Sequence, residues 1–218
     1  MTIELFAHPF SSYCQKAIAA FYENGTPFTL RALEPGGGPV FDELKRLWPI
    51  GKFPVLREGG RVVFEATSIV EYLDVHHPGP VRFLPADPDA AIEARMMDRF
   101  FDNYVATPQQ RLVFDLIRPE AERNPADVRE ARALLDKAYA WLDQRMAGRE
   151  WAAGEFGLAD LSAGPQLFYA DWSHPLDGRF PNVAAYRARL IARPAFARAI
   201  EEARPYRPFF PGGAPDRD

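Results

Sequence analysis

Two serines and a cysteine lie close together near the start of the chain, in the segment Ser11-Ser12-Tyr13-Cys14. This segment follows a short apolar run and precedes a stretch with helical periodicity. The free N–H groups and the positive end of the dipole at a helix N-terminus favour a bound anion. A serine hydroxyl there can also donate a hydrogen bond to a thiolate or an oxyanion. The segment is therefore a candidate site for chemistry on a thiol.

The same residues also have purely structural interpretations. Ser11 or Ser12 is of a type that caps a helix by accepting a backbone N–H. Cys14 lies on the apolar face of the helix, where a free cysteine is more often a small core residue than a nucleophile. We therefore predict that Cys14 is structural and faces the core.

The elements that would position this segment alternate between strand and helix over the first 80 residues. An apolar strand at residues 3–7 leads into a helix over 12–24, which ends at a glycine. The next elements are a strand at 28–31, a helix at 40–47, a hairpin of 52–57 and 61–64, and a helix at 67–75. The order β-α-β-α-β-β-α predicts an α/β domain with one mixed four-stranded sheet.

Strand patterns disappear after residue 81. Residues 82–88 are predicted to be a linker, and residues 89–218 an all-helical domain. A long helix is expected to begin at Asp87 or Asp89 and to reach about Leu116, with an interruption at Pro108. The further predicted elements are helices at 125–148, 158–171 and 182–203, the last split near Pro194, and an extended tail from Arg204.

Composition excludes several classes of protein. The net charge is −4 and no basic run is longer than Lys45-Arg46, so we predict neither nucleic-acid nor membrane binding. No apolar stretch approaches the ~18 residues of a transmembrane helix, and we expect no secretory signal. The single cysteine excludes an internal disulfide and a cysteine-rich zinc site, and the adjacent His76-His77 lack partners at ligand spacing. We expect a cytoplasmic protein without a metal.

Three segments, together with the order of the predicted strands and helices, resemble those of a cytosolic glutathione transferase of the serine type. The first is Ser11-Ser12-Tyr13-Cys14, and the second joins Lys52-Phe53-Pro54-Val55-Leu56 to the Glu65-Ala66-Thr67 that opens the third helix. The third is Gly157-Leu158-Ala159-Asp160, which is similar to the family's helix-capping segment. The resemblance implies a thioredoxin-like glutathione-binding domain over residues 1–81 and a helical domain that supplies the wall for the second substrate.

The resemblance also implies roles for individual residues. Ser11 is expected to activate the glutathione thiol, with Ser12 as the alternative. Pro54 is expected to follow a cis peptide bond, so that the backbone of Phe53 pairs with the peptide backbone of glutathione. Glu65 would accept from the γ-glutamyl ammonium. The start of the third helix would receive the γ-glutamyl carboxylate, with Lys52 near the glycine end.

The chain departs from the family pattern at two positions. Ala66 replaces the serine that usually follows the glutamate, and we expect Thr67 to substitute for it in part. Gly157 has no side chain to cap with, but Asp160 can still accept from the N–H of Gly157.

The second-substrate pocket is predicted from aromatic residues that the resemblance places beside the activating serine. Its expected members are Phe10, Phe101 and Tyr104, with a weaker case for Phe168, Tyr169 and Trp172. His8 is expected to be a loop residue near the site. Arg95 and Arg99 are expected to be surface or dimer-contact groups.

The predicted function is that of a glutathione S-transferase, which activates the glutathione thiol for attack on an electrophilic small molecule. The resemblance implies a homodimer, a role in detoxification, and glutathione as co-substrate with no metal. Two alternatives use the same fold. One is a non-catalytic glutathione-binding or interaction protein, and the other is a glutathione-dependent isomerase or lyase.

Overall fold

A four-stranded mixed sheet forms the N-terminal part of the computed structural model, which describes residues 2–218. The strands lie in the order β2-β1-β3-β4, with β1 parallel to β2 and antiparallel to β3, and with β3 antiparallel to β4. The strands are β1 Ile3–Ala7, β2 Thr29–Ala32, β3 Val55–Glu58 and β4 Arg61–Phe64. The predicted sheet, with a parallel first pair and an antiparallel last pair, is confirmed.

Helices connect the strands and then make up the rest of the chain. They are α1 Ser12–Glu23, α2 Pro39–Leu47, α3 Ala66–His76, α4 Pro88–Phe100, α5 Thr107–Ile117, α6 Pro125–Met146, α7 Leu158–Ser173, α8 Pro181–Ala192 and α9 Pro194–Ala203. The predicted split of the last helical stretch occurs where Pro194 opens α9. Across residues 2–218, no helix combines the length and the apolar composition needed to cross a bilayer.

The core is continuous between the sheet and the helices because α1 and α7 pack against each other. Helix α7 is buried from Leu158 to Trp172, which is why apolar residues occur on all its sides; Asp160, Ser162, Gln166 and Asp171 are its buried polar residues. Asp160 accepts hydrogen bonds from the N–H groups of Gly157, at 3.0 Å, and Ala152, at 2.9 Å. The predicted bond from Gly157 to Asp160 is therefore present.

The glycine at position 157 has a steric cause. A Cβ atom built there would lie 2.6 Å from the carbonyl oxygen of Phe83, which belongs to the segment between α3 and α4. The N–H of Leu158 donates to that same carbonyl at 2.8 Å. A capping serine or threonine would therefore push this segment away from α7.

Three predicted boundaries were wrong. Strand β3 begins at Val55 rather than at residue 52, because the cis Phe53–Pro54 bond precedes it and proline has no N–H for the ladder. The helix after residue 87 is interrupted upstream of Pro108, by a π-helical turn at Phe101–Ala106. The tail is not extended at its start, since Arg204–Phe209 form a 3₁₀ helix. Both Arg204 and Arg207 pair with Asp218, which folds the tail back on itself.

A buried ionic cluster joins the two parts of the chain. Lys16 on α1 is fully buried, and its ammonium contacts Asp98 on α4 as well as Asp102, at 3.1 Å, in the π-helical turn. It also donates to the Thr67 hydroxyl on α3 at 2.8 Å. Ser162 on α7 donates to Asp102 at 3.0 Å. Helices α1, α3, α4 and α7 are therefore held together by one set of charged and polar groups.

Replacing Lys16 by methionine should destabilise the protein strongly. The substitution keeps an unbranched side chain, one heavy atom shorter, but leaves the carboxylates of Asp98 and Asp102 without their buried cation. Breaking a buried pair in this way costs roughly 3–5 kcal/mol of unfolding free energy. Urea unfolding of Lys16→Met and the unsubstituted protein would measure the loss.

Arg95→Gln is the matched control. Arg95 also joins α4 to α3, through a 2.8 Å contact with Glu71, but both side chains of this ion pair are partly exposed. An exposed pair of this kind contributes about 1 kcal/mol or less. Equal losses in the two variants would show that the buried cluster is not what holds the helices together.

Candidate active site

Ser11 lies at the turn between β1 and α1, where it caps the helix. Its backbone is extended, with φ −88° and ψ 128°, and its Oγ accepts from the N–H of Cys14 at 3.5 Å. An acceptor role leaves the hydroxyl proton of Ser11 free to donate to another group. Both interpretations of this serine, as helix cap and as donor to a ligand, are therefore compatible with one geometry.

A cleft of about 870 Å³ opens beside Ser11. Its N-terminal wall brings together most of the residues expected to bind glutathione, namely Ser11, Lys52, Phe53, Pro54, Glu65, Ala66 and Thr67. Tyr13 also lines the cleft, whereas Ser12, the first residue of α1, is not among its lining residues. Of the two serines, the geometry thus favours Ser11.

Tyr13 is a second hydroxyl group in the cleft. Burial raises the pKa of its phenol, and the nearby carboxylates of Asp102, Glu65 and Asp98 raise it further. The phenol is therefore protonated at neutral pH and can donate a hydrogen bond. It cannot serve as a base there.

The start of α3 forms the far end of the same wall. The first intrahelical bond runs from the N–H of Ile69 to the carbonyl of Glu65, at 3.0 Å, so the N–H groups of the cleft-lining Ala66, Thr67 and Ser68 have no partner within the helix. Glu65 has a left-handed backbone, with φ 70°, which is unusual for a residue other than glycine and is typical of functional sites. Its exposed carboxylate does not cap the helix. The wall thus offers backbone donors for an anion beside a carboxylate for a cation.

The hydroxyl of Thr67 does not replace the missing serine at position 66. It donates to Asp98 at 2.9 Å and accepts from Lys16 at 2.8 Å. Because Lys16 can only donate, the single hydroxyl proton of Thr67 goes to Asp98. The expectation that Thr67 substitutes for the serine was therefore wrong, because the buried cluster uses its hydroxyl.

The helical wall of the cleft is more polar than the sequence suggested. Its members are Arg99, Asp102, Asn103, Gln110 and Phe114. Sequence reasoning also missed Ser68, at the third position of α3, and three residues before the cis bond that line the same cleft, Trp48, Ile50 and Gly51. The position of Ser68 in the first turn of a predicted helix was a usable signal. Arg99 gave none, because its position depends on how α4 packs against α3.

The aromatic residues predicted to form the second-substrate pocket do not line this cleft. Phe101 is 0% exposed and packs against Tyr186 in the core. Tyr104 is 51% exposed, but it lines a different groove, together with Trp141. The reason is the π-helical turn, whose i to i+5 bonds change which side chains face the cleft. Asp102 and Asn103 face it instead.

Phe10 belongs to a separate aromatic cluster. Its ring lies 5.4 Å from Tyr169, 6.3 Å from Trp172 and 6.3 Å from Phe210, measured between centroids. Phe210 comes from the C-terminal tail and is itself buried. The tail thus fills the space in which Phe10, Tyr169 and Trp172 were expected to meet a substrate.

Cys14 and His8 lie behind Ser11 rather than in the cleft. Cys14 is fully buried, its Sγ accepts from the N–H of His8 at 3.4 Å, and burial raises the pKa of its thiol to about 12. The His8 ring packs against Tyr206, with centroids 4.6 Å apart, and burial lowers its pKa. The predicted core position of Cys14 is confirmed.

The two parts of the chain match two family models. Residues 5–81 match the glutathione S-transferase N-terminal domain, and residues 123–189 match the glutathione S-transferase C-terminal domain. Among curated proteins, a probable glutathione S-transferase GSTU1 of Oryza sativa subsp. japonica is 33% identical over 172 residues, which is 75% of this chain and 70% of that protein.

Two further relatives are similar over most of their length. A probable maleylacetoacetate isomerase of Vibrio cholerae is 29% identical over 178 residues, covering 78% of this chain and 80% of that protein. A crystal structure of a glutathione S-transferase from Methylobacterium radiotolerans, in complex with glutathione sulfonate, superposes with a TM-score of 0.80. It is 30% identical, and the match covers 92% of this chain and 95% of that one.

Cys14 should be unreactive in the folded protein. A thiol with a pKa of about 12 is almost entirely protonated at pH 8, and the thiolate is the reactive form. We expect iodoacetamide to modify native Cys14 at least about 100-fold more slowly than free cysteine, whose pKa is about 8.5, and to modify it readily in urea. Mass spectrometry of the alkylated protein would follow both reactions. Rapid native alkylation would contradict the buried position.

Proposed function

This chain belongs to the glutathione S-transferase family, and we propose that its cleft binds reduced glutathione with the thiol beside Ser11. The observation that carries this proposal is that three distant segments of the chain border the same cleft. Ser11 from the start of α1, the cis Phe53–Pro54 segment and Glu65 at the start of α3 come from distant parts of the chain and border one cleft. The reaction that this arrangement supports best is glutathione transfer to an electrophilic small molecule.

Glutathione would lie along the N-terminal wall. Its γ-glutamyl ammonium would face the exposed carboxylate of Glu65, and its γ-glutamyl carboxylate would face the free N–H groups of α3. Its central peptide would pair with the backbone of Phe53, as an extended peptide pairs with a strand edge. Lys52 would lie near the glycine carboxylate. This assignment gives each charged group of glutathione an opposite charge or a set of donors.

The proposed role of Ser11 is to stabilise the thiolate. A free thiol has a pKa of about 8.5 and is mostly protonated at neutral pH, while the thiolate is the nucleophile. A hydrogen bond from the Ser11 hydroxyl and the positive end of the α1 dipole both favour the charged form. A decrease of two pH units in the thiol pKa corresponds to about 2.7 kcal/mol, and it would make most bound glutathione reactive at pH 7.

The electrophile would be held by the helical wall of the cleft. That wall presents the amides of Asn103 and Gln110 and the half-exposed ring of Phe114. We therefore propose an acceptor with both an apolar part and hydrogen-bonding groups, rather than a purely aromatic one. The domains at 1–81 and 89–218 would then supply the glutathione site and the acceptor wall, respectively.

A glutathione-dependent isomerisation is the second candidate, favoured by the similarity to a probable maleylacetoacetate isomerase. In such a reaction the thiolate adds to an activated carbon–carbon double bond. The resulting single bond rotates, and elimination of the thiolate restores the double bond. Glutathione is regenerated, so the step needs no oxidant or reductant. The two candidates differ in whether a glutathione conjugate accumulates.

We further propose that the protein is a homodimer that acts in the cytoplasm, where thiols are kept reduced. Exposed apolar side chains support the dimer. Ile92, Met96, Tyr104 and Trp141 form an apolar face on α4, the π-helical turn and α6, all at least 44% exposed. Ile50 and Val75 are two further exposed apolar side chains, both in the N-terminal domain. In a two-fold dimer, the helical face of each copy would cover exposed apolar side chains of the N-terminal domain of the other.

Ser11→Ala should raise the pKa of bound glutathione and lower turnover. Loss of one hydrogen bond to a charged group costs roughly 1.5–3 kcal/mol, equivalent to about one to two pH units in the thiol pKa. The rate at pH 6.5 should fall about 5- to 50-fold and should recover as the pH rises. Thiolate absorbance and the pH–rate profile with a reactive aryl halide would measure these changes.

The matched control for this experiment is Ser12→Ala, which should leave the pH profile unchanged. If Ser11→Ala has no effect on that profile, the role passes to Ser12 or to Tyr13. Calorimetric titration of the unsubstituted protein with glutathione tests the first claim of the proposal, that glutathione binds. Saturable binding without turnover of any electrophile would instead support a non-catalytic glutathione-binding protein.

Light scattering should give a mass of about 49 kDa, twice the 24.6 kDa of the chain. Met96→Arg places a charge in the middle of the apolar face and should shift the mass towards the monomer. Phe209→Arg, at another exposed aromatic residue, should not. A mass near 25 kDa at micromolar concentration for the unsubstituted protein would contradict the dimer.

A further inference from the structure

The γ-glutamyl carboxylate of glutathione lacks a side-chain partner at the usual place in this chain. Ala66 has no hydroxyl, and the hydroxyl of Thr67 is engaged with Asp98 and Lys16. What remains on α3 is the set of backbone N–H groups and the hydroxyl of Ser68. A further donor must come from the opposite wall if the carboxylate is to be held by a side chain of opposite charge.

Arg99 is the cationic side chain that the opposite wall provides. It lies in the last turn of α4, its side chain is 55% exposed, and it lines the cleft together with Glu65, Ala66 and Ser68. One of its terminal nitrogens, Nη1, contacts the carboxylate of Asp98 and lies 3.2 Å from the Thr67 hydroxyl. The guanidinium is therefore anchored within a few ångströms of the start of α3.

The anchoring leaves part of the guanidinium available. Only Nη1 of Arg99 has hydrogen-bond partners within residues 2–218, so Nε and Nη2 retain donors for a ligand. A guanidinium edge with two parallel donors matches the geometry of a carboxylate. Because Asp98 fixes one side of the group, little side-chain freedom remains to be lost when a ligand binds.

The charges of the buried cluster also require Arg99. Lys16 and Arg99 carry two positive charges, which balance the two negative charges of Asp98 and Asp102. Without Arg99 the cluster would have a net negative charge directly behind the proposed carboxylate position. Arg99 therefore both neutralises the cluster and faces the cleft with its remaining donors.

We propose that Arg99 binds the γ-glutamyl α-carboxylate of glutathione, in place of the serine hydroxyl that Ala66 lacks. This inference rests on the proposed function of the cleft. It replaces the expectation that Arg99 is only a surface or dimer-contact group. The group that Arg99 would bind is a carboxylate. The electrophile is the alternative source of such a carboxylate.

The test is calorimetric titration of Arg99→Gln with two thiols, which requires no turnover. One is glutathione, and the other is its analogue with a 4-aminobutyryl group in place of the γ-glutamyl residue. The analogue keeps the ammonium, the thiol and the glycine carboxylate, and lacks only the γ-glutamyl α-carboxylate. In Arg99→Gln, the Kd for glutathione should rise about 10- to 100-fold, while the Kd for the analogue should change less than about threefold. Arg99→Lys should recover part of the loss.

Arg95→Gln is the control, since Arg95 lies one turn earlier on α4 and contacts Glu71 rather than the cleft. It should leave both Kd values within about threefold. Thermal unfolding of each variant would show whether Arg99→Gln is folded. If that variant is unstable, Arg99→Lys with the same two thiols gives the comparison.

Two results would overturn the inference. One is an unchanged Kd for glutathione in Arg99→Gln, and the other is an equal loss for both thiols. An unchanged glutathione Kd with a raised KM for a carboxylate-bearing electrophile would assign Arg99 to the second substrate instead. Failure of the proposed function is distinguishable, because the unsubstituted protein would then show no glutathione binding at all.

Discussion

The buried ammonium of Lys16 is the constraint on which the arrangement of this molecule depends. A charge without access to water is tolerated only with close opposite charges and satisfied hydrogen bonds. Lys16 obtains them from Asp98 and Asp102, which lie on the other side of the domain junction. The position of α4 relative to α1 is therefore set by electrostatics as well as by apolar packing, and any sliding between the two would leave buried charges unpaired.

This constraint reaches the cleft through Thr67. Its hydroxyl is held by the same two charged groups, Lys16 and Asp98, and it lies in the first turn of α3. The cluster thus fixes the start of α3, which lines the cleft. Its cation, Lys16, lies on α1, the helix whose N-terminus carries Ser11. The two helix N-termini of the proposed glutathione site are tied to one buried cation, and neither has to be positioned by a flexible loop alone.

Local signals were sufficient for the sheet and for the N-terminal wall of the site. Apolar periodicity, a serine before α1 and a glycine after it predicted β1, α1 and their connection, because each depends on residues close in the chain. The tail and the helical wall depend on distant partners. Asp218 pairs with Arg204 and Arg207. A π-helical turn determines which side chains around residue 102 face the cleft. Neither feature has a periodic pattern that reveals it.

The aromatic residues expected to hold a substrate have a different structural use. Phe10 immediately precedes Ser11, and its ring is packed among Tyr169, Trp172 and Phe210. On the same helix as the serine, Gln15 donates both to the carbonyl of Pro9, at 3.0 Å, and to the hydroxyl of Tyr169, at 3.1 Å.

In the role proposed for Ser11, the hydroxyl would have to be held within a fraction of an ångström of its position, which rigid surroundings provide. Filling the aromatic cluster with the tail's Phe210 removes that apolar space from substrate binding, while it fixes the turn that carries Ser11. On the proposed function, selection among electrophiles would then fall to the residues of the opposite wall. Differences in Asn103, Gln110 and Phe114 between related chains should therefore change the acceptor without disturbing the position of Ser11.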